Sequence, residues 1–364
     1  MSKCGHRSDS AKRLRRRLSA SSLCPYSVRQ VLNRPASATM ETTELCFPEF
    51  HNISCRKPQP SPSDALLSYS LISLISVLTV TMNLLVIISI LHFRQLHSPT
   101  NLLILSLAVS DFLVGLLPIP VQILLTETCW LLGSVLCALY NLTVFTITAS
   151  AVGSIVLISI DRYLAICDPL HYSTKVTLNR VKFCVCACWL CALFYCCLIL
   201  KDFLIDPDAH SSCYGECVVV LNNITGNVDF VFTFIGPITV VVVLYVRIFM
   251  VVVSQARSMQ SKVVTLQQTV TISARKSELK AARTLGIVIL VFIVCLCPFY
   301  LPSFAGEHIV DSSLSTRLAT WAWLFNSCVN PFVYAFFYPW FRKSIKLIVT
   351  FQILQTHSTH ANVL

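Results

Sequence analysis

The sequence predicts an all-α membrane protein, a bundle of seven spanning helices followed by a short amphipathic helix. Three observations carry that prediction. Of 364 residues, 55% are hydrophobic and only 12% charged, with a mean hydropathy of +0.70. Apolar stretches long enough to cross a bilayer recur seven times. Lys and Arg concentrate in alternate connections between those stretches. A soluble domain carries roughly 25% charged residues, so this chain lacks the polar surface that would cover a water-soluble globule of its size. In hydrocarbon every backbone amide must be satisfied within its own segment, which takes a helix of about 20 apolar residues.

The chain divides into four parts in order. Residues 1–39 carry nine Lys and Arg against one acid, Asp9. They are Arg-rich, Ser-rich and acid-poor, as transit peptides are, and hold no apolar stretch of signal-peptide length. They are read as a disordered extension, with Met40 as an alternative start; the competing reading is a tolerated basic tail. Residues 40–65 form a polar segment before the first span. The bundle occupies 66–338, with spans at 66–91, 102–125, 135–164, 181–200, 228–253, 285–304 and 318–337. Residues 339–364 begin W-F-R-K-S-I-K-L-I-V, whose apolar and basic residues suit a helix lying on the inner membrane surface. No cysteine follows Cys328, so that helix has no palmitoyl site.

Orientation follows from charge, because Lys and Arg favour cytoplasmic connections. The odd connections and the tail hold Arg94, Lys175, Arg180, Lys182, Arg247, Arg257, Lys276, Arg342 and Lys346, among others. The second connection holds none, the fourth only Lys201 and the sixth only Arg317. The N-terminus is therefore expected outside and the C-terminus inside. The net charge of +11 resides largely in the cytoplasmic connections and the N-terminal block, so no nucleic-acid partner is implied.

Eighteen cysteines are present. Cys184, Cys186, Cys188, Cys191, Cys196 and Cys197 share one apolar helix, where Cys acts as a small hydrophobe. The outer face is oxidising: Cys137 opens the third span, Cys213 and Cys217 lie in the fourth connection, and Cys46 and Cys55 precede the first span. A bridge from Cys137 to the long outer loop would hold that loop over the bundle mouth, though spacing alone leaves the connectivity open. Asn52 and Asn223 head glycosylation sequons in outer segments, whereas the matching triplet at Asn141 falls inside a helix.

Charges within spans are costly and mark function. Asp161 and Glu278 sit at cytoplasmic helix ends, where Arg162 and Glu278 could pair as a latch between the third and sixth spans. Asp111 is mid-bundle, and Asn326, Ser327 and Asn330 could join it around a sodium ion. Asp229 is the one acid inside the outer half of a span. A bound cation needs a buried counter-ion and gains from aromatic faces, and Phe299, Tyr300, Trp321 and Trp323 are placed to supply them.

Several motifs stand in register. They are Asn83 in the first span, L-A-V-S-D around Asp111, Asp161-Arg162-Tyr163, Trp189, Pro237 with Tyr245, Pro298, and Asn330-Pro331-Phe332-Val333-Tyr334. Together they resemble a rhodopsin-like G-protein-coupled receptor over about 66–350. The stretch 326–341, the segment 92–101 and the paired Cys213 and Cys217 are similar to trace amine-associated receptors. That resemblance implies bridges Cys217–Cys137 and Cys213–Cys55. It also implies olfactory detection of volatile amines, a stimulatory G protein that raises cyclic AMP, a plasma-membrane location and sensory-cilium residence. It assigns Asp161, Arg162, Tyr163, Glu278, Tyr245, Asn330, Pro331 and Tyr334 to activation and coupling.

Three positions depart from the family pattern. The usual third-span amine anchor is Val144, and Asp229, eight residues before Pro237, resembles the alternative carboxylate of a fish-expanded branch. A serine that often completes the sodium site is Ala151. The Trp usual two residues before the sixth-span proline is Leu296. The leading expectation is an amine receptor, with a rhodopsin-like receptor for a non-amine ligand as the alternative that Val144 keeps open. A transporter is disfavoured by the absence of paired broken helices. An enzyme is disfavoured because no His, Asp and Glu cluster, metal motif or phosphate loop is present.

Overall fold

A computed structural model describes residues 44–50, 52–57, 62–127, 129–210, 213–219, 221–260, 286–287, 289–298, 312–355 and 358–363. Among them, five helical segments are long and apolar enough to cross a membrane: Ala65–His92, Pro99–Leu125, Gly133–Cys167, Leu178–Ile199 and Asn223–Ser254. The apolar helix Ile289–Pro298 and the helix Ser312–Phe337 occupy the sixth and seventh positions. Residues 1–39, Met40, Glu278, Phe299 and Tyr300 lie outside the described residues.

Proline sets the local breaks. The second span, expected as one helix, is two: Pro99–Leu116 and Pro118–Glu127, joined at Leu117. Pro118 has no amide proton and its ring displaces the preceding turn. The fifth span runs as Asn223–Phe230, a π segment Val231–Ile235, then Gly236–Gln260. Pro237 leaves the Thr233 carbonyl without its helical donor, and a local widening of the helix absorbs the fault. The helix Pro339–Val349 follows the seventh span and buries Trp340, Phe341 and Ser344. Arg342 Nη1 donates to the carbonyls of Ala335 and Phe336, satisfying acceptors that the seventh helix leaves open at its end.

The main core cluster runs through the bundle from Val86 and Leu107 through Ile155 and Phe292 to Tyr334 and Phe341, with smaller clusters around Ile72, Cys137 and Ile166. Buried polar groups cross-link the spans where no water competes. Asn83 Nδ2 donates to the carbonyls of Thr79 and Ser327. Trp189 Nε1 donates to Ser106 Oγ, which in turn pairs with Ser154 Oγ. The third and fourth spans approach so closely that a Cβ on Gly153 would collide with Cys188 Sγ. The six fourth-span cysteines are free thiols, as their apolar setting led us to expect.

Candidate ligand-binding site

Three disulfides close one end of the bundle. Cys137–Cys217 and Cys55–Cys213 form the two pairs that the resemblance implied, with Cα separations of 5.6 Å and 5.0 Å. A third, Cys46–Cys129, lies beyond the pairs that the resemblance implies, and ties the first segment to Cys129 in the short second connection. The signal was available: Cys129 makes the cysteines at this end an even six. The bridges fold the 44–57 segment onto the fourth connection. Cys55 N donates to the Tyr214 carbonyl, Tyr214 N to the Ile53 carbonyl, and Trp130 N to the Gly215 carbonyl. Phe47 and Phe50 meet the Tyr214 ring at 4.7 and 5.5 Å. Gly215 is required here twice over, by its φ of +105° and because a Cβ would lie 3.0 Å from Cys46 Cβ.

Beneath this cap lies a cavity of about 550 Å³. Val144, Asp229, Leu296 and Trp323, all singled out from the sequence, line it together. Trp321 does not line it; that side chain packs against the cluster of Ile72, Val114, Ile119, Ile147 and Leu324, which Trp323 also touches, and two residues along a helix face different ways. Asp229 is half-buried on the wall given by the fifth span. Tyr195 Oη donates to its Oδ1 at 2.9 Å. That fourth-span partner was not foreseen, since sequence distance hides a contact made across two helices. Val144 on the third span offers the cavity no charge.

A buried polar set lies deeper. Asn330 Nδ2 donates to Asp111 Oδ2 at 2.7 Å. Asp111 Oδ1, Asn326 Oδ1 and Asn330 Oδ1 are buried with no hydrogen-bond partner among the described residues. Ser327 is buried beside them. Unspent oxygen lone pairs around one carboxylate suit a small hard cation, so the donor set fits sodium even with Ala151 in the serine's place.

At the opposite end, Arg162 is buried and paired with its neighbour. Its Nε and Nη2 donate to Asp161 Oδ2, and Nη2 also reaches Thr100 Oγ1. Tyr172 Oη donates to Asp161 Oδ1 at 2.8 Å. Burial, then the Asp161 charge, pushes the Tyr172 hydroxyl up to about 12, so it stays a donor. Tyr172 is held in place by the helix Pro169–Lys175, which Asp168 anchors by accepting from Lys175 Nζ at 2.8 Å and pairing with His171. Those bonds, Lys175 first and His171 second, bring the Asp168 carboxyl down to about 2. Tyr163 packs near Ile166 and Ile248, and the hydroxyls of Tyr245 and Tyr334 are buried with no hydrogen-bond partner among the described residues. Pro331 lies within the seventh helix. The expected partner of Arg162, Glu278, falls outside the described residues.

A profile of the 7 transmembrane receptor (rhodopsin family) matches residues 82–334. Trace amine-associated receptor 8b of Mus musculus is 36% identical over 329 residues, 87% of this chain and 95% of that receptor. Trace amine-associated receptor 6 of Homo sapiens is 35% identical over 338 residues, 90% of this chain and 97% of that receptor. On the helical bundle, the apolar spans and these three matches, the chain belongs to the rhodopsin family of seven-transmembrane receptors and, within it, to the trace amine-associated receptors.

Proposed function

We propose that this receptor detects small amines, held by Asp229, and signals through a heterotrimeric G protein of the stimulatory type to cyclic AMP. The single observation that carries the reading is the position of Asp229, a half-buried carboxylate on the wall of the cavity opposite an uncharged Val144. An ammonium group removed from water needs a paired counter-charge, and Trp323 adds an aromatic face to the same cavity. The disulfide-bonded end, with exposed sequon residues Asn52 and Asn223, faces outside and carries the glycans. The Arg162 end faces the cytosol, where the basic face of Pro339–Val349 rests on anionic lipid. Volatile amines and an olfactory role, in the cilia of sensory neurons, complete the reading.

A panel of primary amines and diamines, assayed by cyclic AMP on cells displaying the receptor, tests it directly. At least one amine should raise cyclic AMP; silence across the panel at confirmed surface display would overturn it. Val144→Asp should add a second carboxylate across the cavity and shift preference toward diamines. An unchanged rank order would remove Val144 from the ligand's path.

Asp111 with Asn326, Ser327 and Asn330 would hold a sodium ion, which supplies a positive charge that favours one arrangement of the bundle. Replacing sodium by N-methylglucamine should raise amine potency several-fold in the parent, and Asp111→Asn should abolish that sodium dependence. Parent potency indifferent to sodium would dismiss the ion.

A further inference from the structure

Two cavities meet at Tyr195. One is the ligand cavity; the other is a groove of about 510 Å³ on the flank of the bundle, between the third, fourth and fifth spans. Ala149, Val152, Tyr195 and Thr233 line both. The groove has a clear structural origin. Along the fourth span Cys184, Cys188, Cys191 and Tyr195 recur at four, three and four residues and so share one helical face. Close packing of Gly153 on Cys188 draws the third and fourth spans together, and the groove opens between these two and the fifth span. The π segment sits at that point, with Phe232 67% exposed on its flank. Phe183, Cys184 and Cys191 are also exposed. At this depth an exposed side chain faces acyl chains, so the groove opens to hydrocarbon.

We propose that this groove is a lateral entrance, through which a small amine dissolved in the bilayer as its neutral base passes Tyr195 to reach Asp229. The proposal rests on the reading of Asp229 as the amine anchor. A neutral amine crosses hydrocarbon readily, whereas its ammonium form does so only at high cost. Inside the cavity the amine takes a proton from water: one N–H bond forms, one O–H bond of the water breaks, the hydroxide returns to the external solution, and the ammonium pairs with the carboxylate. Tyr195 stands at the junction. To let the amine by, its hydroxyl must leave Asp229 Oδ1, and the arriving ammonium then replaces that hydrogen bond with a charge-assisted one.

A route has a kinetic signature that a binding site lacks. A side chain that obstructs only the path slows entry and exit by the same factor and leaves affinity unchanged. Ala187 and Cys191 line the groove and not the ligand cavity. The full chain in phosphatidylcholine nanodiscs is mixed with hexylamine bearing a diazirine at its far end and photolysed at timed intervals. Mass spectrometry follows label on Trp323, inside the cavity. Cys191→Phe and Ala187→Phe should each slow its appearance at least tenfold and reach the same final level, which also reports an intact fold. Asp229→Asn should lower the final level, so anchor and entrance read out separately: a level unaffected by Asp229→Asn, with entry still slowed by the groove variants, sinks the anchor and keeps the entrance. Parental rates in both groove variants, a final level that falls with the rate, or no Trp323 label in the parent would each overturn the entrance.

Discussion

Asp229→Asn is expected to abolish the amine response while leaving the receptor on the cell surface. The substitution keeps the shape of the side chain and an oxygen for the Tyr195 hydroxyl, which donates to Asp229 Oδ1 at 2.9 Å. What it removes is the charge. Breaking one side of an ammonium–carboxylate pair out of water costs about 3–5 kcal/mol, because the remaining ion is left buried and unpaired. That corresponds to a loss of affinity of roughly a hundredfold or more. No second carboxylate lines the cavity among the described residues to take over, since the third-span position is Val144. Asp229→Glu should retain a response with a changed preference for ligand length. The deciding measurement is cyclic AMP against amine concentration at matched surface levels. A response like the parent's in Asp229→Asn would strike out the anchor and reopen the non-amine alternative.

Removing Cys137 or Cys217 is expected to be the most damaging change for folding. Both residues are buried under the cap, and their bridge closes a sequence separation of 80. Loop-closure entropy for that length corresponds to about 4.5 kcal/mol, and native bridges lost from secreted domains cost about 2–5 kcal/mol. Total stability is of order 5–15 kcal/mol, so Cys137→Ser should abolish most surface display. Cys46→Ser should do less. The bridge it breaks also spans a long separation, 83 residues, but Cys55–Cys213 still holds the same segment nine residues away. The constraint it adds to an already cross-linked chain is correspondingly small. Surface immunolabelling of the two variants gives the ranking, and peptide mapping gives the pairing. Equal display of Cys137→Ser and the parent, or free thiols at Cys137 and Cys217 in the mature receptor, would refute the claim.

The class of molecule, the number and approximate position of the spans, and the motif residues were all legible along the chain. Those properties are local or one-dimensional: a run of apolar residues needs no partner to declare itself in a bilayer, and a motif is read along the chain. Asp229 was legible for the same reason, as an isolated carboxylate in an apolar helix. The family pattern carried two of the three disulfides, which spacing alone could not.

Which of those residues meet is a property of the packed bundle. Trp321 and Trp323 are two apart and both pack against the Ile72 and Leu324 cluster, yet of the two only Trp323 also lines the cavity, because two residues turn a helix by about 200°. The Cys46–Cys129 bridge depends on how the 44–57 segment folds back, and the Tyr195–Asp229 hydrogen bond on how the fourth and fifth spans lean together. The break at Leu117 and the π segment before Pro237 have their prolines in plain view. Whether a proline kinks, splits or widens a helix is set by what neighbouring spans can satisfy, and that is a property of the packed bundle.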